Sequence, residues 1–328
     1  MTARSSARWA LALVSGGAAL VAAAGCGPAF DPYNRLNSLR VLAIKSDPVA
    51  PAYGETTTLS AATYTSDGST PTYEWSWCPI TPGAGVPCPF TDDQLSAMAG
   101  VPVTLALGSA PTAPFTHNIP PALLEALCAD TAGFTPVDCT DGYPAQISLL
   151  VCTDLAGDGC TPDDPQVAAV RPMRLRFRDD PTYVNTNPVI STLYAVLAGM
   201  DPPPDLGTAT LPRHQATVIG TSIDEIVASS EPYLGKDDND NPAMVNERLT
   251  LSWFVESGDT NHTRTSYIKD QTTADATTRI KWTPAYAKDD NKDSPRPDKD
   301  RARVIVIVRD DRNGVGWVDR TATLEPTP

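Results

Sequence analysis

The stretch ARVIVIVRDDRNGVGWVDRTATL, residues 302–324, holds the plainest local structure in the chain. From Arg303 to Arg309 it carries a β-branched run, Val304-Ile305-Val306-Ile307-Val308. Branching at Cβ costs a helix rotamer freedom and packs well on a pleated surface, so this run suits a strand. Asp310 to Gly316 then carries an Asn313-Gly314 pair, which supplies the positive φ angles of a tight turn. Alternation resumes from Val315 to Leu324. The reading is a β-hairpin.

Working back from this hairpin, the same order of signals occurs twice. LRVLAIKSDP, ETTTLSAATY, TYEWSWC, AQISLLVCTDLAGDG and VAAVRPMRLRF make the first set, between residues 39 and 177. NPVISTLYAVL, HQATVIGTSI, ERLTLSWFVESGD, TTRIKWTPA and the closing hairpin make the second, between residues 187 and 324. Each set has a tryptophan strand in its first half: Trp75 and Trp77, then Trp253. Gln146–Cys152, the Gly157-Asp158-Gly159 turn and Val167–Phe177 form the matching hairpin of the first set. Short strands separated by Gly, Pro, Asn and Asp clusters indicate β-sandwiches.

A tryptophan on a central strand, the later Trp282-Thr283-Pro284 and a final V-x-V-x-V-x-D strand resemble bacterial immunoglobulin-like and PKD-like modules. The resemblance implies an all-β chain of two immunoglobulin-like β-sandwich domains in tandem, residues 38–180 and 189–326, joined by a linker at 181–188. The tryptophans then fill the space between sheets, the alternative being a ligand platform. The first domain carries an insertion at about 78–144. Thr91-Asp92-Asp93-Gln94 is a capping box before a short helix, and Pro120-Pro121 opens a second helix that ends at Cys128. An excursion of this length is where a binding surface is expected. The short linker suggests domains stacked end to end.

Seven cysteines are present: 26, 78, 88, 128, 139, 152 and 160. Ahead of the first, Arg4 and Arg8 precede an uncharged, mostly apolar stretch, Trp9–Ala24. That suits the core of a signal peptide and falls short of the roughly twenty residues a spanning helix needs. Ala23-Ala24-Gly25-Cys26 resembles the bacterial lipobox, with Ala23 where Leu or Val is commoner. The resemblance implies a signal peptide over 1–25, a diacylglyceryl group on Cys26, and residues 26–37 as a tether from the membrane. Gly27, in place of aspartate, implies the outer membrane. Cleavage at Ala22-Ala23-Ala24 is the alternative, leaving a free thiol. Parity favours lipidation, because setting Cys26 aside leaves six cysteines in one domain of an oxidising compartment. Order along the chain pairs them as Cys78–Cys88, Cys128–Cys139 and Cys152–Cys160.

Net charge is −14, with 39 acidic and 25 basic residues, which argues against nucleic acid or anionic lipid as partners. His117, His214 and His262 fall in no metal-ligand or catalytic spacing and read as loop residues. No GxSxG elbow, SxxK or phosphate loop occurs. Paired aspartates such as Asp92-Asp93, Asp179-Asp180 and Asp289-Asp290 read as solvated strand ends and not as a glycosidase pair. The one cation-like loop is Lys236–Asn241, where Asp237, Asn239 and Asn241 place oxygens on alternate residues, with Asp154–Asp158 a weaker second. Pro242 stands where a calcium loop needs glycine, so solvated loops are the simpler account. The expectation is a non-enzymatic, cofactor-free lipoprotein whose modules bind a protein or glycan partner in the envelope. Carbohydrate binding or processing is an alternative, although Tyr33, Tyr286 and Trp317 are too scattered to form an aromatic row; a structural spacer is another.

Overall fold

The computed structural model describes residues 33–129, 139, 142–153, 159–177, 184–236, 241–269, 273, 277–285 and 300–326. The strands of the first half are β1 (Arg40–Asp47), β2 (Thr56–Tyr64), β3 (Thr72–Cys78), β4 (Ala106–Gly108), β5 (Thr112–Thr116), β6 (Tyr143–Cys152) and β7 (Gln166–Leu175). They make two sheets, ordered β1-β2-β5 and β4-β3-β6-β7. Alternation aims one face of each inward: Leu59 and Phe115 from the first sheet meet Trp75, Ile147, Leu149 and Met173 from the second in one core.

In the second half the strands are β8 (Tyr194–Val196), β9 (Thr210–Leu211), β10 (Thr217–Gly220), β11 (Pro232–Lys236), β12 (Pro242–Asn246), β13 (Arg248–Val255), β14 (Asp259–Thr260), β15 (Arg264–Ile268), β16 (Arg279–Thr283), β17 (Arg301–Arg309) and β18 (Val315–Leu324). The two main sheets run β14-β16-β10-β8 and β15-β13-β17-β18-β9, and β11-β12 is a separate hairpin. Trp253, Trp282, Ile219 and Val306 share the core between them. Matching strands hold matching places, since β1-β2-β5 corresponds to β8-β10-β16 and β4-β3-β6-β7 to β15-β13-β17-β18. The doubled order of sequence signals is therefore a doubled topology. Trp75, Trp77, Trp253 and Trp282 are buried between sheets and do not form a platform.

The closing hairpin pairs Arg309 with Val315, which leaves 310–314 as its loop. Asn313 takes the positive φ, 76°. Gly314 is needed for a different reason than the sequence suggested: a Cβ there would collide with the Asp310 carboxylate and the Thr186 carbonyl. That carboxylate accepts from the backbone N–H of Gly314 at 2.6 Å and of Arg312 at 2.8 Å.

From Asn34 onward the chain clusters as one unit. The two halves do not stack end to end; they pack face to face. Leu42, Ala43, Ala62 and Tyr64 from β1 and β2 form a third buried cluster with Phe254, Ile305 and Ile307. β17 is therefore buried on both faces, with Val304, Val306 and Val308 turned into its own core. Polar clamps rim this layer. Asn187 donates to the Ser46 carbonyl at 2.8 Å and accepts from the Val315 N–H at 2.9 Å. Arg171 donates to the Ile44 carbonyl at 2.6 Å and also to the Asn313 carbonyl. Burial lowers Arg171 to about 10, so it stays cationic at neutral pH. Nearby, Glu247 is buried against Arg312 at 3.2 Å, and loss of solvent lifts its carboxyl to about 8.

This packing also revises the tether. Residues 34–36, its last part, lie along β13: the Val255 N–H donates to the Asn34 carbonyl at 3.0 Å, and the Leu36 N–H to the Val255 carbonyl at 2.9 Å. Leu36 is buried in the shared cluster. One apolar side chain finds a partner more than two hundred residues away, and no local pattern announces that.

Candidate binding face

The stapled excursion of the first half builds a recess from short elements. Cys78, ending β3, is bonded to Cys88 and closes a loop on the sheet. Helix α1 (Asp92–Ala99) starts with the expected capping box: the Gln94 N–H donates to Thr91 Oγ1 at 3.3 Å, and the Thr91 N–H to Gln94 Oε1 at 2.9 Å. It stops at Gly100, whose φ of 70° is the left-handed turn that glycine reaches without strain. Ser96 then pins the returning chain, accepting from the Val103 N–H at 2.9 Å. Trp77 holds that return from below by donating to the Thr104 carbonyl at 2.7 Å. Helix α2 (Pro121–Cys128) opens on two prolines, and its last residue is bonded to Cys139. The third bridge, Cys152–Cys160, staples the β6–β7 connection.

Between α1, α2 and β3 lies a cavity of about 80 Å³. Trp77, Leu95, Ile119 and Tyr143 form its buried floor, with Phe90 and Leu123 as walls. Its rim is apolar and open to solvent: Met98 is 51% exposed, Leu127 38% and Ile80 37%. Exposed apolar side chains gathered round one hollow are what a docking surface looks like, whereas scattered ones mean nothing. On the outer face of the β4-β3-β6-β7 sheet, the same stapled loop borders a broader groove of about 600 Å³. There Gln146 grips the loop, accepting from the Gly83 N–H at 3.0 Å and donating to the Gly83 carbonyl at 3.3 Å.

Of the residues singled out in the sequence, Cys26, the 1–25 signal segment, Asp237, Asn239, Asp154–Asp158, Asp179-Asp180, Asp289-Asp290 and Tyr286 lie outside the described residues. Asn241 directly precedes β12. Among the described residues no three His, Cys, Asp or Glu side chains converge as a metal site would require. His214 and His262 are exposed. His117 departs from its reading as a simple loop residue. It follows β5 and is fully buried, 6.0 Å edge-on from Tyr53, with Nε2 lacking any hydrogen-bond partner. Loss of solvent lowers its imidazole to about 4, against a smaller upward pull from the Arg176 backbone. The rim residues Ile80, Met98 and Leu127 were missed. Met98 and Leu127 are apolar positions on two short helices that sequence periodicity cannot separate from core positions, and Ile80 lies in the loop after β3.

No protein-family profile and no curated sequence matches the chain. Among solved structures it is similar to a 1.5-MDa bacterial ice-binding adhesin, at 11% identity and TM-score 0.20, over 88% of this chain and 66% of that one. It is also similar to the three N-terminal domains of the outer capsid protein Hoc of bacteriophage RB49, at 10% identity and TM-score 0.19, over 89% and 71%. A third is the mixed-linkage glucan utilization protein SGBP-B of Bacteroides ovatus, at 8% identity and TM-score 0.20, over 88% and 70%. At scores this low these likenesses carry no argument about function.

Proposed function

We propose that this chain is an exported lipoprotein, acylated on Cys26 and held at the outer membrane, whose role is non-catalytic binding in the cell envelope. In this reading residues 38–180 and 189–326 are immunoglobulin-like sandwiches that serve as a rigid mount. The stapled excursion between β3 and β6 is the surface they present. The observation that carries the binding role is the apolar recess ringed by exposed Ile80, Met98 and Leu127. Three disulfides in the same half hold local loops, and fixed loops lose less entropy on binding than free ones.

Two measurements test the two parts. A Cys26→Ser variant is expected to be exported yet to leave the membrane fraction for the soluble one; its recovery in the membrane pellet would sink the anchor. A photo-crosslinking residue at exposed Ala97, beside the rim, is expected to trap a discrete envelope partner in cells. Those adducts should fade when Leu127 is changed to Asn. No adduct, or one indifferent to Leu127, removes the recess as the binding face and leaves a spacer.

A further inference from the structure

The charge of this protein is not spread along it. From Ser46 to Val170 there is no lysine and no arginine, while fourteen aspartates and glutamates fall in that span. With 39 acidic and 25 basic residues in all, the remainder of the chain holds 25 of each and is balanced. The entire net charge of −14 thus falls within residues 46–170, and six of its fourteen acids lie in the excursion at about 78–144, which has no basic residue. Its single histidine, His117, is buried and neutral at physiological pH. On the two helices that line the recess, the charged side chains are Asp92 and Asp93 in the first turn of α1 and Glu125 on α2, all exposed, with Asp92 also accepting from the Leu105 N–H at 2.9 Å.

An apolar hollow between two helices whose only charged side chains are acidic selects its occupant. From these two features we infer that the recess docks a cationic amphipathic segment of another protein: one aliphatic side chain inserted, with lysines or arginines flanking it. This rests on the binding role proposed above and names the partner's chemistry. The hollow is small, about 80 Å³. A cavity of roughly 150 Å³ takes a benzene ring, so a single Leu, Ile, Val or Met side chain is the better fit. Flanking cations are drawn by the exposed carboxylates of α1 and α2, and complementary charge of this kind raises the on-rate and rejects wrong partners. A second copy of this chain is disfavoured, because a two-fold contact would set two acidic faces against each other. Anionic lipid is repelled for the same reason.

The test uses the disulfide-bonded mature chain and a short fluorescent helical peptide of leucine, alanine and lysine, read by polarisation. Two relatives of the peptide separate the terms, one with serine for leucine and one with glutamate for lysine. The leucine–lysine peptide is expected to bind at least about tenfold tighter than either relative. The double variant Met98→Gln, Leu127→Asn keeps the charge and should weaken binding by roughly tenfold, since it removes the exposed apolar rim. Asp93→Asn with Glu125→Gln should weaken it several-fold and flatten its salt dependence. All four positions are exposed, so these variants keep the fold. Equal binding of the serine peptide, equal binding of the glutamate peptide, or indifference to the rim variant each overturns the inference. So does concentration-dependent dimerisation abolished by the rim variant, which would make a second copy the occupant. If the Ala97 crosslinks persist in cells while the lysine peptide fails to bind or compete, the binding role stands and only this partner chemistry falls. Loss of the crosslinks themselves removes the binding role.

Discussion

His117 closes β5 with its ring out of solvent and its Nδ1 accepting from the Ile119 N–H at 3.4 Å. Its imidazole sits at about 4 in the fold against 6.5 when free, so between those values the unfolded chain takes up a proton that the fold refuses. Stability from this group is complete above pH 6.5 and drains as pH falls toward 4. A shift of this size corresponds to about 3 kcal/mol. Urea unfolding at pH 7 and pH 4.5 should show the wild type losing about 2 kcal/mol more than His117→Phe, most of the full effect. Equal losses would mean the ring protonates without cost. Three residues on, Pro120 caps the start of α2, and that polar, proline-bounded context made the histidine read as a loop residue. Its burial comes from the neighbouring Tyr53 loop, which belongs to another part of the chain.

Elements fared better where their causes are local. The capping box at Thr91, the proline-led helix at Pro121 and the hairpin at 301–324 all rest on contacts within a few residues, and all are present. The disulfides pair neighbours, each spanning 8 to 11 residues. Replacing Cys78 and Cys88 with alanine frees the loop beside the recess. Loop-closure entropy puts the cost at about 2–3 kcal/mol, measurable by thermal melting. An unchanged melting temperature would mean that the Gln146–Gly83 bonds alone hold the loop. What the element scale concealed was the purpose of β17. Its unbroken run Val304–Val308 reads as a strand either way; only the partner on its second face explains why Ile305 and Ile307 are as buried as Val304, Val306 and Val308.

In the whole molecule, that second face is the joint. Phe254, Ile305 and Ile307 from one half and Leu42, Ala62 and Tyr64 from the other are buried together in one apolar cluster. Both halves should therefore melt in one transition, with Trp75 and Trp77 reporting one and Trp253 and Trp282 the other. Ile307→Ala is expected to cost about 2–5 kcal/mol through the cavity it leaves. Ile307→Asp, which buries a charge in the layer, should split the melt in two. Two transitions already in the wild type would show the halves to be independent. The sequence by itself determined the main strands, their doubled order, the helix caps of the excursion and the nearest-neighbour bridges, because their signals lie close along the chain. The short β4, β5, β9, β11, β12, β14 and β15 carried no such signal. Only the tertiary structure decided that the halves meet face to face, that residues 34–36 bind β13, and that Ile80, Met98 and Leu127 ring a hollow. Those features are set by side chains brought together from distant segments, where no periodicity in the sequence records the meeting.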